Sequence, residues 1–312
     1  MIDIHRKRNH GFTLIELLIV MGMLGVVMTA VYSLYYAQSK SAAAQDELVE
    51  VQQNLRIAMD EISRDIRMSG FLLPLDTTCT AKAISLSPIR VIGNNTGLNA
   101  GLGSTDSMTL NSASASGKYA RIDQDIVSGN STVFVVDAPE SVDKFTTNDM
   151  VRVLRVDMRE PSAGIFPITA LNRAAGTGTI TVTTNPGVIY KRLDFIVATA
   201  TNPRPDTIQY CVASSTAAGL CPAVAAGCPA GQRCLMKVVN GTSNLLSTNI
   251  TNLQFRYLLK DNSETDSPDL RQVRAVRVTI TGSTVATGVT GVAKQRQMTS
   301  IVKMRNEAQV CM

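Results

Sequence analysis

The chain has 312 residues, 45% hydrophobic and 18% charged, a globular composition with length for one large or two small domains. Thirty Lys and Arg against twenty-five Asp and Glu leave +5, too small an excess to argue for nucleic acid on charge alone. Both histidines, His5 and His10, precede the first apolar run, so a chain that loses this leader has no imidazole; that excludes most Ser-His-Asp and Cys-His sites, histidine metal sites and imidazole acid-base chemistry. No Gly-x-Ser-x-Gly string offers a hydrolase nucleophile either. The composition therefore points to a non-enzymatic protein that needs no cofactor.

Arg6, Lys7 and Arg8 lead into Gly11-Phe12, after which the chain is apolar as far as Ala37, interrupted only by Glu16. Residues 17–37 are uncharged and, at about 1.5 Å per residue, reach roughly 30 Å, the depth of a bilayer's hydrocarbon core. The positive-inside rule keeps the basic leader cytoplasmic and sends everything after the span across the membrane, with Tyr32, Tyr35 and Tyr36 at its far end as an aromatic belt. An ordinary secretory signal cut near Ala42-Ala43-Ala44 would have a shorter apolar run. A plain anchor or a core helix leaves Glu16 unexplained, because a carboxylate inside a span is costly and marks a function.

The string Gly11-Phe12-Thr13-Leu14-Ile15-Glu16, with bases before it and the apolar run after it, resembles the class III signal of type IV pilins and type II secretion pseudopilins. The resemblance implies that a prepilin peptidase cuts between Gly11 and Phe12 and that Phe12, the new terminus, is N-methylated. For Glu16 it implies a part in assembly. A filament of such helices buries charged terminal amines, and a carboxylate four residues along can pair with the amine of an adjacent subunit and set axial register. The other reading is a glutamate that merely snorkels to the interface.

Beyond the span, Leu48, Val51, Leu55, Ala58, Ile62 and Ile66 recur every three or four residues, and Asp46, Glu47, Glu50, Asp60, Arg64 and Asp65 supply exposed-face charge. With no proline before Pro74, the pattern predicts one helix from Phe12 to about Ser69, ended by Gly70. Where many pilins have a helix-breaking proline this chain has Gly22 and Gly25, which weakens any case for local melting during assembly. The organisation read from the sequence is a leader over 1–11, an assembly helix over 12–37, an amphipathic continuation over 38–70 and a β-rich head over 71–312.

The head alternates short Val-, Ile- and Thr-rich runs with Gly, Asn, Pro and Ser, predicting strands at 85–92, 107–111, 132–137, 150–156, 179–183, 207–212, 235–239, 253–259, 273–281 and 298–304. Residues 93–117, rich in Gly, Ser and Asn, read as a surface loop. The fold class is α+β, one β-rich head with the helix packed on a sheet. Arg271, Arg274 and Arg277 mark a wet face or edge that could meet DNA or a partner subunit, or simply face water.

All six cysteines, Cys79, Cys211, Cys221, Cys228, Cys234 and Cys311, follow the span, where oxidising conditions permit disulfides. No C-x-x-C pair or nearby histidine supports zinc, so the reading is a disulfide-stapled loop. Fifteen pairings are open; local pairing within the central four, with Cys79 to Cys311, is preferred. Asp261, Glu264, Asp266 and Asp269 offer oxygen ligands suited to calcium, but their spacing does not match an EF-hand and such a run more often makes a solvated hairpin loop.

Two further stretches, 54–71 with Cys79 following and 298–306 near the end, resemble PilW-type minor pilins, in which an Arg-Asp-Ile-Arg-x-x-Gly segment closes the long helix and a strand ending in Arg-Asn closes the head. That resemblance implies a minor pilin held in the bacterial inner membrane with a periplasmic head, then moved by the inner-membrane assembly platform into a pilus or its tip complex. Its partners there are the major pilin and other minor pilins, and its head could display an adhesive or DNA-contacting surface. The alternatives are a J-type minor pseudopilin of type II secretion and, in another class, a membrane-anchored periplasmic binding module outside any filament.

Overall fold

The computed structural model describes residues 13–73, 88–93, 105–113, 116–126, 132–158, 164–174, 176–183, 189–199, 206–270, 272–284 and 293–305. A single helix, α1 (Leu14–Met68), runs for 55 residues, roughly 80 Å at 1.5 Å per residue. Thr13 caps its start, the hydroxyl accepting a hydrogen bond from the Glu16 backbone N–H at 3.3 Å. At the far end the Ser69 backbone and hydroxyl both donate to the Ile66 carbonyl, and Gly70 turns the chain away at φ 78°, a left-handed value that glycine adopts without strain. The helix thus stops where the sequence predicts.

Among the described residues fifteen strands follow, all antiparallel and gathered in three sheets. Strands β1 (Ile89–Gly93) and β2 (Ser107–Asn111) belong to the first. Then come β3 (Tyr119–Arg121), β4 (Val133–Val136), a short 3-10 helix (Pro139–Lys144), β5 (Met150–Leu154), β6 (Phe166–Ala174), β7 (Thr177–Val182) and β8 (Phe195–Ala198). The chain continues through β9 (Thr207–Ser214), β10 (Arg233–Val239), β11 (Thr242–Ser247), β12 (Ile250–Leu259), β13 (Glu264–Thr265), β14 (Val273–Ser283) and β15 (Gln295–Lys303). Strands β3, β6, β8, β11 and β13 were not among those expected, and the supposed loop over 93–117 contains β2.

One core unites the upper half of α1 with two sheets, β1-β2-β9-β10-β11 and β13-β12-β14-β15. The helix contributes Val51, Leu55, Ala58, Met59, Ile62 and Ile66, all buried, against Tyr210, Leu235, Phe255, Val276 and Val302 among others. At about 1.5–3 kcal/mol per buried large apolar side chain, this stripe is what fastens stalk to head. Gly282 on β14 lies where the helix comes close to the sheet: a Cβ there would lie 2.8 Å from Val51 Cγ1 and 3.1 Å from the Asn249 carbonyl oxygen.

The expected single head is built around a second core as well. Strands β3-β8-β5-β6-β7-β4 form a six-stranded sheet that closes on itself, since Ile122 bridges Val136 and the Asp123 N–H donates to the Val135 carbonyl at 2.8 Å. Phe134, Val151, Ile168, Ile180 and Ile196 fill this barrel. Its chain departs after Asn111 and returns at Thr207, which are register partners across β2 and β9. A small apolar joint of Leu72, Ala113, Leu154 and Val197 seats the barrel beside the helix end.

Disulfides Cys211–Cys221 and Cys228–Cys234 tie the connection between β9 and β10 to those strands, the local pairing preferred from the sequence. Cys79 and Cys311 lie outside the described residues.

Candidate functional site

The lower half of α1 is where composition and packing disagree most. Between Leu14 and Tyr36 seventeen large apolar side chains stand exposed, from Leu14 at 82% to Leu17 at 52%, and none of the apolar window is buried. Leaving so much hydrocarbon in water is prohibitive at about 25 cal/mol per Å², so this surface requires lipid or other helices around it. By length and composition the helix can cross a membrane. Two of its hydroxyls are satisfied within the helix: Thr29 donates to the Gly25 carbonyl and Ser33 to the Ala30 carbonyl, both at 2.8 Å. Gly22 and Gly25 are accommodated within unbroken helix.

Glu16 is the exception. It stands in the first turn of α1 with apolar residues on either side, and among the described residues no cation pairs with its carboxylate. Thr13 and Glu16 have the spacing of a capping box, Thr-x-x-Glu, and the Thr13 half of it is formed. Reading the sequence for charge alone missed this part for Thr13, although the spacing signals it. A negative charge at that position also complements the helix dipole. Gly11 and Phe12 lie outside the described residues.

A second polar assembly anchors the top of the stalk. Asp65, expected among the exposed charges, is buried. Its Oδ2 accepts from the Tyr210 hydroxyl at 2.5 Å and pairs with Lys237 Nζ at 2.7 Å, while Lys237 also reaches Glu61 at 2.5 Å. Its position buries it: Asp65 flanks the inward stripe through Ile62 and Ile66, and β9 and β10 bring it two donors. Burial works against the Lys237 ammonium, but its bonds to Asp65 and Glu61 prevail and hold it above the ordinary lysine value of 10.5. Burial first, then the Asp65 charge, pushes the Tyr210 phenol well up.

The remaining sequence candidates are placed elsewhere. Glu264 forms a two-pronged pair with Arg277 at 3.0 Å, Asp266 pairs with Arg256 at 3.1 Å, and Asp261 accepts from the Ser263 N–H at 2.9 Å. These carboxylates, with Asp269, belong to a hairpin and the turn after it, and no group of three metal-ligating side chains occurs among the described residues. Arg277 is thereby engaged, Arg274 is half-buried, and Arg271 lies outside the described residues.

Comparison with known proteins matches residues 6–32 to the family model of the prokaryotic N-terminal methylation motif. No curated protein and no solved structure matches the chain. The chain therefore carries the N-methylation motif of prepilin-type proteins, the class that holds type IV pilins and pseudopilins, at the head of a long apolar helix that leads into a β-rich head.

Proposed function

We propose that this protein is a minor type IV pilin: a membrane-anchored subunit, cut after Gly11 by prepilin peptidase and methylated on Phe12, that enters a pilus or its initiating tip complex and promotes assembly there. The observation that carries the reading is the exposed apolar segment 14–36 of α1 with Glu16 as its one charge, joined to the methylation motif. A stalk of this kind is a packing element awaiting copies of itself, and Glu16 supplies the counter-charge for a neighbour's terminal amine. The two-lobed head supports the minor role, because its bulk beside a slender stalk suits a rare position at a filament end better than close repetition along the shaft. A J-type pseudopilin would use the same stalk and differ in the filament it joins.

The test begins with the intact mass and N-terminal peptide of the protein from its own membranes, which should start at N-methylated Phe12. Retention of Met1, or a start near Gln45, would overturn the proposal. In a strain with the natural assembly machinery, Glu16→Ala should leave cleavage intact and cut recovery of this subunit in sheared filaments by about ten-fold or more, the scale of an uncompensated charge in an apolar core. Undiminished recovery would remove the role given to Glu16.

A further inference from the structure

Where α1 ends, its last turns, the five-stranded sheet and the barrel enclose an open cleft of about 730 Å³. Arg64 and Arg67 enter it from the helix, Lys144 from the 3-10 helix and Arg305 from beyond β15, beside the Glu61, Lys237 and Asp65 anchor. The anchor's two carboxylates are committed to Lys237 and Tyr210. Arg64, Arg67, Lys144 and Arg305 are all exposed, and among the described residues none of the four pairs with a carboxylate. Like charges held around one concavity repel each other and raise the local concentration of anions.

The chemistry of the wall narrows the anion. Its aromatic residue, Tyr119, is already engaged: the Lys144 ammonium lies 5.1 Å from the ring centroid and Phe71 meets the ring nearly at right angles at 5.3 Å. Recognition by stacking, which single-stranded nucleic acid needs, is therefore poorly served, whereas discrete carboxylates need only the cationic head groups. Such carboxylates occur on the stalk itself. Asp46, Glu47 and Glu50 cluster on α1 below the head, Asp46 and Glu50 exposed, roughly 26 Å down the axis from Arg64 and Arg67 at 1.5 Å per residue.

We propose that the cleft receives the acidic stalk segment of a neighbouring prepilin-type subunit, of the kind that Asp46, Glu47 and Glu50 form on this chain. The inference rests on the filament reading above. Two stalks packed side by side and displaced along their axes would bring carboxylates to the cleft, adding a charge contact near the head to the apolar contact of the spans. Charge complementarity of this sort governs register and partner choice more than raw affinity.

Zero-length carbodiimide cross-linking of the full chain in its own membranes and filaments tests this directly. The reagent activates a carboxylate, the Lys144 amine displaces it to form an amide, and the carbodiimide leaves as its urea. The expected product joins Lys144 to a stalk carboxylate of a second subunit. It should fall about ten-fold in Arg64→Glu/Arg67→Glu and persist in Arg64→Lys/Arg67→Lys. Intact Cys211–Cys221 and Cys228–Cys234 linkages, read by non-reducing mass analysis, check the fold of the reversed variant, and Arg305→Glu provides a second, independent reversal. A product undiminished by both reversals overturns the proposal. So does coupling of Lys144 only within its own chain, or suppression of the coupling by a single-stranded oligonucleotide under conditions where poly-glutamate of equal charge does not suppress it. A subunit that starts at methylated Phe12 and enters filaments without the Lys144 product defeats the cleft alone; one absent from filaments defeats the reading beneath it.

Discussion

Asp65 holds two donors from two strands on one carboxylate, and that makes it the most consequential polar side chain between stalk and head. Asp65→Ala would leave the Tyr210 hydroxyl without its acceptor and Lys237 with Glu61 alone; the expected cost is about 3 kcal/mol, measurable as a lower midpoint in urea unfolding of the head. The same assembly imposes a pH dependence. Because the folded Lys237 sits above the ordinary 10.5, its contribution is fully present below that value and is lost as pH rises through the folded value. Tyr210 acts in the same sense, since the unfolded chain ionises its tyrosine near 10.0 while the folded one resists. Urea midpoints followed from pH 8 to 11.5 should fall above about pH 10, and the fall should be shallower in Lys237→Met. None of this was legible locally. The helical spacing puts Asp65 beside the apolar stripe and leaves its side undecided, and only the distant Tyr210 and Lys237 settle it. Glu16 is the opposite case: one acid inside an apolar run is conspicuous in the sequence itself.

At the scale of elements, the helix was readable from end to end because 3.6-residue periodicity, the absence of proline and a terminal glycine all agree. Strands with clear apolar alternation, such as β14, were readable too. Strand β6 was not, since Pro167, Asn172 and Arg173 interrupt it and much of it faces solvent; β11, an edge strand of Thr, Ser, Asn and Leu, carries little signal of its own. Such strands are specified by their partners. The docking of α1 depends likewise on a residue with no side chain. Gly282→Val should force Val51 and Leu55 off the sheet at a cost of about 2 kcal/mol or more, and limited proteolysis should then cut within 51–62, which the native head protects. Retained protection would show that the helix can shift without loss.

For the whole molecule, the point of insertion decides what can be separated. Asn111 and Thr207 are register partners in neighbouring strands, so a short Gly-Ser link can replace residues 112–206 without stretching the first sheet. The excised chain should fold, retain Cys211–Cys221 and Cys228–Cys234, and still be cleaved at the leader; failure to form either disulfide would mean that the barrel is needed to complete the first core. The second lobe was hidden from the sequence because its strands resemble those of the first in composition, and only closure of the sheet reveals them as a body of their own. The neck has a mechanical meaning as well. A load applied to the barrel pulls on the end of β2 and the start of β9 together, along the strand direction, and these strands lie inside the sheet between β1 and β10. Their hydrogen bonds to those outer neighbours are therefore strained side by side, in shear, instead of being peeled apart one after another. A filament that bore tension through this head would meet its resistance at the neck all at once, and the bridges from β9 and β10 to their connecting loop would limit how far either strand could slip.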